Sequence, residues 1–189
     1  MNRDLLANPA PLGLMGFGMT TVFLNIHNAG FFPLSAMILA MGLCYGGLAQ
    51  VLAGLLEFKK GNTFGLTAFV SYGFCWIALV ALWVFPKLGW SEPTPPEYMG
   101  CFLLMWGIFT AFMWVGTWRA NRALQVIFGS LTLLFALLAL RDFTGNELIG
   151  VIAGYEGIFC GLSAIYLAMA EVLEAQYGRA ILPIGRPRA

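Results

Sequence analysis

Six long apolar segments, none with a charged residue near its middle, constrain this chain more than any other feature. Charges and clusters of proline and glycine divide the 189 residues into segments 11–27, 32–58, 63–85, 97–118, 122–140 and 148–173. A helix needs about 20 apolar residues to cross the hydrocarbon core of a bilayer. A soluble domain carries roughly 25% charged residues, whereas this chain has 10%, with 60% hydrophobic residues. The sequence therefore predicts an all-α polytopic membrane protein with six transmembrane helices.

The gaps between these segments are short, which predicts antiparallel neighbours in a compact bundle. We expect an N-terminal segment at residues 1–10, a six-helix membrane domain at 11–173 and a C-terminal tail at 174–189. A transmembrane β-barrel would need alternating segments of about ten residues, and the sequence has none. The net charge of +1 is too small to indicate a nucleic-acid partner.

Lysine and arginine are distributed unevenly about the six segments. Six crossings place eight basic residues on the side of the two termini and two on the other side. The eight are Arg3, Lys59, Lys60, Arg119, Arg122, Arg179, Arg186 and Arg188, and the two are Lys87 and Arg141. Because basic loops tend to remain in the cytoplasm, this asymmetry predicts that both termini are cytoplasmic.

The sequence contains no pattern typical of an enzyme, a cofactor site or a metal site. The four cysteines, Cys44, Cys75, Cys101 and Cys160, lie in apolar runs without CxxC spacing or neighbouring histidines. A small buried packing role fits them better than metal or redox chemistry. No Ser/His/Asp set or phosphate loop occurs either. We therefore expect no enzymatic activity, no cofactor and no metal.

Small residues recur at helical spacing along the second and sixth segments. In the second they accompany Gln50, and the set is Gly42, Gly46, Gly47, Gln50, Ala53, Gly54 and Glu57. Each stripe is either a close helix contact or the wall of a passage kept open by missing side chains. Gln50 favours the passage, because an unpaired amide in hydrocarbon costs several kcal/mol. Its partner is then another helix, water or a substrate.

The first segment is the most polar of the six. Thr20, Thr21 and Asn25 lie within it. Pro9 and Pro11 precede it and can begin a helix but not continue one. Asn8 is thus either a helix cap or a side chain that faces an aqueous vestibule.

Ionisable residues avoid the middle of the predicted membrane. Glu57, Glu171 and Glu174 lie near the terminal boundary, and Glu156 lies about two turns into the sixth segment. Pumps and proton-driven carriers often bury an ionisable residue near the midplane. The sequence shows no such relay, and the role of Glu156 stays open.

The first segment also carries a specific motif. Residues 8–14 read NPAPLGL and continue into MGFGMTT; further matches are GGLAQ at 46–50, EFKKGNTFG at 57–65 and GLSAIY at 161–166. With these motifs the chain resembles the acetate uptake transporter family over essentially its whole length. Within that family it is most similar to the bacterial succinate–acetate branch.

This resemblance implies a substrate, an assembly and site residues. It implies a homo-hexamer in the bacterial inner membrane, with a central pore through each protomer, that transports acetate and also succinate or other short carboxylates. The positions that match the family's hydrophobic constriction are Phe17, Tyr72 and Leu131, and Ala164 matches a position linked to substrate size. Other expected pore-lining or substrate-binding residues are Asn8, Thr20, Thr21, Asn25 and Gln50. Membrane lipid and protons are the other expected partners.

Energetics leaves the mechanism open between proton symport and a passive acetate-selective anion channel. Protonating a carboxylic acid whose pKa resembles that of Glu costs roughly 3.7 kcal/mol at pH 7. Carrying the bare charge to the bilayer centre costs at least about 2.5–3.5 kcal/mol. A constriction of Phe17, Tyr72 and Leu131 would strip water from the solute and favours the neutral acid, so proton-coupled uptake is the leading hypothesis.

Overall fold

The computed structural model describes residues 6–186, which form six helices joined by short connections. The helices are α1 (Ala10–Asn28), α2 (Ala36–Lys60), α3 (Thr63–Val84), α4 (Pro96–Gly116), α5 (Arg122–Thr144) and α6 (Glu147–Tyr177). A short 3-10 turn, Pro86–Leu88, follows α3. Within residues 6–186 no strand occurs.

Five of these helices, α2 to α6, are long and apolar enough to cross a membrane. The remaining helix, α1, has 19 residues and is long enough to cross. Its polar residues make it less apolar than the other five helices. Large apolar side chains cover the outside of the bundle; Phe112, for example, is 77% exposed. The prediction of an all-α, six-helix membrane protein is confirmed.

The helix boundaries differ from the predicted segments mainly in α2, α5, which continues past residue 140 to Thr144, and α6. α2 begins at Ala36 rather than at residue 32, because Pro33 disfavours helical backbone at the residue before it. Phe32 instead packs beside Leu24, Ile38 and Trp76. α6 continues past residue 173 to Tyr177 and ends at Gly178, whose φ of +65° is a left-handed conformation that glycine adopts freely.

Asparagine side chains cap the N-termini of three helices. Each accepts a hydrogen bond from a backbone N–H of the first turn, which has no partner inside the helix. The pairs are Asn62 with Gly65 in α3 (3.0 Å), Asn121 with Leu124 in α5 (2.8 Å) and Asn146 with Leu148 in α6 (3.0 Å). These caps fix where the connections end.

α1 lies at the centre of the packing, between α6 and α2. α5 packs against α4 and α6, and α2 packs against α3. α1 approaches α6 closely at Gly18 and Gly161, where a Cβ atom on Gly161 would lie 2.7 Å from the Gly18 carbonyl oxygen. The main buried core is formed by α1, α3, α5 and α6 together with residues of α2 and α4.

The middle of α2 is π-helical over Gly42–Ala49. Such segments are rare and often occur at functional sites. A Cβ atom on Gly46 would lie 2.9 Å from the Thr20 hydroxyl, and Thr20 donates to the Met41 carbonyl (3.4 Å) where the π segment starts. The π segment is therefore fitted against the polar face of α1.

Both ends of the described chain lie at the same end of the bundle, here called the terminal end. The Asn8 amide donates to Glu171 Oε2 (2.8 Å), and the Tyr166 hydroxyl donates to the Pro183 carbonyl (2.8 Å). The other end is called the opposite end. Assignment of the terminal end to the cytoplasm stays a prediction. Two residues on which it rests, Arg3 and Arg188, lie outside the described residues.

Candidate functional site

Phe17, Tyr72 and Leu131 come together inside the bundle. Each is at most 6% exposed, and all three line one internal cavity of about 20 Å³. The other residues around this cavity are Leu14, Gln50, Ala68, Phe69, Ile127 and Phe128. A water molecule needs about 10–15 Å³ of cavity, so this constriction has room for little more than one water.

The Tyr72 ring is held from several sides. Its hydroxyl donates to Thr110 Oγ1 (2.9 Å), and the Thr110 hydroxyl in turn donates to the Trp106 carbonyl (2.7 Å). The ring centroids of Phe17 and Phe109 lie 6.3 and 5.5 Å from that of Tyr72. Tyr72 therefore connects the constriction to α4 and is positioned by α4.

Gln50 is the polar side chain of the constriction. It is 1% exposed, and its Oε1 atom has no hydrogen-bond partner among the described residues. Leaving such an atom unpaired costs roughly 1–3 kcal/mol. Gln50 can accept a hydrogen bond from a molecule that enters the constriction. The glycines of the same stripe on α2 instead lie at contacts with α1 or α3; they are Gly42, Gly46, Gly47 and Gly54.

A larger space of about 310 Å³, here called the vestibule, adjoins the constriction at the terminal end. The two spaces share Leu14, Ala68, Phe69 and Phe128. The polar residues that line the vestibule are Asn8, Glu57, Lys60, Asn62, Asn121 and Glu171. Its lining contains two acidic side chains and one lysine.

A third space of about 70 Å³, here called the opposite pocket, lies at the opposite end. It is lined by Leu24, Asn28, Leu79, Trp83, Met99, Leu103, Leu138 and Arg141. The three spaces follow one another along the same three helices. Their lining residues include Leu14, Phe17 and Leu24 on α1; Phe69, Tyr72 and Leu79 on α3; and Phe128, Leu131 and Leu138 on α5. The constriction and the opposite pocket share no lining residue, so the three spaces mark out an axial passage that is closed at and beyond the constriction.

The remaining predicted site residues lie at helix contacts or at the vestibule. Asn8 lines the vestibule, donates to Glu171 and accepts from the Ala10 N–H (3.3 Å). Thr20 faces Gly46 of α2, and Asn25 faces Gly157 of α6. Asn25 donates to the Thr21 carbonyl (2.8 Å). The structure thus brings Gln50, but not Thr20 or Asn25, to the constriction.

Two further predicted residues are buried on α1 and α6. Thr21 is 2% exposed, and its hydroxyl oxygen has no hydrogen-bond partner among the described residues. Ala164 is fully buried on α6, one turn from Leu167, which lines the vestibule. Both positions are adjacent to the passage rather than part of its described lining.

Glu156 faces away from the passage. The Ser130 hydroxyl donates to Glu156 Oε1, and both residues line an open groove on the side of the bundle with Trp114, Leu133 and Phe159. Glu156 Oε2 is buried and has no partner among the described residues. Its position on the outer side of α6 separates it from the constriction.

Sequence reasoning missed the acidic character of the vestibule and the place of Arg141. Glu57 is only 2% exposed; one carboxylate oxygen accepts from the Asn62 amide (2.8 Å) and the other has no partner in the described chain. Counting along α2 put Glu57 at the membrane boundary and gave no sign that the start of α3 covers it. From the sequence, Arg141 contributes only to the predicted orientation of the chain in the membrane.

Within residues 6–186, no group of three or more His, Cys, Asp or Glu side chains is placed to hold a metal ion. The four cysteines are free thiols, of which Cys75 and Cys160 are buried and Cys44 and Cys101 are exposed.

The fold and the axial passage define a class of protein, a multi-pass α-helical membrane protein with a passage closed by aromatic and aliphatic side chains. The model of the GPR1/FUN34/yaaH family matches residues 1–184. The chain belongs to that family.

Individual relatives agree with this assignment. The Escherichia coli (strain K12) protein named succinate-acetate/proton symporter SatP is 59% identical over 185 residues, which cover 98% of each chain. Acetate permease A of Emericella nidulans is 36% identical over 197 residues, covering 94% of this chain and 65% of that protein. A solved structure described as the bacterial acetate channel SatP matches with a TM-score of 0.94 at 60% identity, covering 95% of this chain and 99% of that one. The resemblance inferred from the motifs is confirmed, and these relatives are named as transport proteins rather than enzymes.

Proposed function

We propose that this protein carries acetate, and also succinate or other short carboxylates, across the membrane through the axial passage, coupled to protons. The observation that carries the proposal is the meeting of Phe17, Tyr72 and Leu131 at a cavity of about 20 Å³ between two wider spaces. The names of the E. coli and E. nidulans relatives support acetate as the substrate.

The constriction favours movement of the neutral acid. Its lining is apolar apart from the Tyr72 hydroxyl and the Gln50 amide, and no charged side chain contributes to it in the described chain. An anion placed there would lose its water without a compensating cation, which is costly in a medium of low dielectric constant. A neutral acid can donate its O–H to the free Gln50 oxygen. Transport of the acid moves one proton with each monocarboxylate.

A passive acetate-selective channel is the second candidate. The solved structure at 60% identity is described as an acetate channel, whereas the E. coli relative is named a symporter. The two functions share the passage and differ in whether a pH gradient drives accumulation.

We also propose the membrane, the orientation and the assembly that the family resemblance implies. The protein resides in the bacterial inner membrane with both termini in the cytoplasm, and six copies associate, each with its own passage. The basic residues at the terminal end support the orientation.

Native mass spectrometry of the protein extracted with its lipids would give the mass of six chains, and a monomer under all extraction conditions would contradict the assembly.

Uptake of labelled acetate by vesicles containing the purified protein tests the transport function. The wild type should exceed empty vesicles, and Phe17→Trp should abolish the excess because the larger ring fills a cavity that holds about one water molecule. Phe112→Trp on the exposed face of α4 is the matched control and should leave uptake intact. Uptake that is absent in the wild type, or equal in Phe17→Trp, would contradict the proposal.

A further inference from the structure

The vestibule and the opposite pocket are lined by different charged side chains. The vestibule at the terminal end contains Glu57 and Glu171 against Lys60. Among the described residues that line the opposite pocket, Arg141 alone is charged and Asn28 is the only other polar residue. A carboxylate inside the opposite pocket therefore meets an arginine, which Asp142 also contacts, whereas one inside the vestibule meets two acidic side chains and one lysine.

Packing places the Arg141 side chain at this pocket. A Cβ atom on Gly150 of α6 would lie 2.7 Å from Arg141 Cδ, so the missing side chain at Gly150 makes room for the arginine stem. The Arg141 side chain is 30% exposed, which leaves the guanidinium within reach of solution. The pocket itself, at about 70 Å³, has room for a few heavy atoms, since one water needs about 10–15 Å³.

The hydrogen bonds of Arg141 leave donors available. In the described chain its Nε (2.7 Å) and Nη2 (2.5 Å) both contact the same atom, Asp142 Oδ1. Asp142 Oδ2 is buried without a partner, so the pair is not the two-oxygen fork that guanidinium and carboxylate form when they match. A guanidinium has five N–H donors. The remaining donors can bind a second carboxylate.

We propose that the opposite pocket is the site where a short carboxylate from solution first binds, with Arg141 as its anion-binding group. Asp142 competes for the same guanidinium and keeps the affinity moderate. Moderate affinity suits a passage, because a solute must enter a site favourably and still leave it. This inference rests on the proposed function, since it assigns the first binding step of acetate transport to this pocket.

Two substitutions with opposite expected effects test the site. Acetate binding to the purified protein in detergent is measured by thermal-shift titration, with chloride replacing acetate so that ionic strength stays constant. Arg141→Gln should raise the dissociation constant for acetate about tenfold, the equivalent of one charge-assisted hydrogen bond. Asp142→Asn should lower it about threefold, because the competing charge is gone. Lys87→Gln, a cation in the turn after α3 and outside the pocket, should bind acetate as the wild type does.

A structural role for the Arg141–Asp142 pair would not move acetate binding in opposite directions. Unchanged binding in Arg141→Gln, or a shift of both variants in the same direction, would overturn the proposal. If Arg141→Gln does not fold, Asp142→Asn decides alone, and binding that is unchanged or weaker would overturn it.

Uptake by the wild type in vesicles separates this proposal from the proposed function. A protein that binds acetate through Arg141 but transports none would overturn the proposed function and leave the site standing. A protein that transports acetate, with Arg141→Gln binding it as tightly as the wild type, would overturn the site alone.

Discussion

At the scale of single residues, the buried amide of Gln50 is the clearest mark of function. Its Oε1 atom lacks a partner in the described chain although the residue is 1% exposed. A purely structural bundle would gain stability by replacing it with an apolar side chain. Thr110, equally buried, instead has both its donor and its acceptor in use.

Gln50→Leu should therefore separate transport from stability. Acetate uptake should fall about tenfold, the value of one lost hydrogen bond in a buried site. The melting temperature should stay the same or rise, because an unpaired buried oxygen has been removed. Leu52→Ala, on the exposed face of the same helix, serves as the control for vesicle uptake. A large loss of melting temperature with unchanged uptake would assign Gln50 to packing.

Leu131 should limit the size of the solute. Leu131→Ala removes three carbon atoms from the lining of the constriction and should raise succinate uptake relative to acetate about tenfold, within the range that one or a few methylene groups give in an apolar site. Leu133→Ala, at a position 51% exposed on the outer side of the same helix, is the matched control. The measurement is competition between the two labelled substrates, and an unchanged ratio would remove Leu131 from the gate.

At the scale of helices, the contact between α1 and α6 depends on glycines that admit the neighbouring backbone. Gly18 and Gly161 face each other, and a Cβ on either would lie 2.7 Å from a carbonyl oxygen of the other helix. A backbone carbonyl cannot move away from an added Cβ atom as the flexible end of a side chain can. This contact holds α1, and with it Phe17, in place.

Gly161→Ala should consequently destabilise the protein more than Gly107→Ala does. Overpacking costs about 1–3 kcal/mol of unfolding free energy. Each kcal/mol lowers the melting temperature by roughly 2–4 °C in a domain of this size. At Gly107 the nearest atom to an added Cβ is Phe135 Cβ at 3.3 Å, a far smaller overlap. Melting temperatures in the same detergent give the comparison. Equal shifts for the two variants would mean that the α1–α6 contact is looser than described.

The sequence predicted the six helices because the length and apolarity of each segment decide membrane crossing almost alone. It did not predict the start of α2, where Pro33 delays the helix, nor the π-helical stretch Gly42–Ala49. Phe17, Tyr72 and Leu131 followed from motifs of the family rather than from periodicity. Burial of Glu57 and the position of Arg141 depend on which helix covers which, and only the packed bundle determines that.

At the scale of the whole molecule, the passage is closed in the middle and has chemically different ends. Arg141 lies at one end, and Glu57 and Glu171 lie at the other. The apolar constriction between them favours the neutral acid over the anion. We propose that a carboxylate binds first at Arg141, takes up a proton from solution and then crosses the constriction as the neutral acid.

Accumulation of acetate under an imposed pH gradient tests this account most directly. Vesicles containing the wild-type protein, with an alkaline interior, an acidic exterior and equal labelled acetate on both sides, are compared with empty vesicles and with the Phe17→Trp variant. Proton-coupled transport predicts that acetate accumulates inside, faster than in either control, and that a proton carrier which collapses the gradient releases it. Rapid exchange of label without accumulation would contradict the coupling and leave a passive acetate channel.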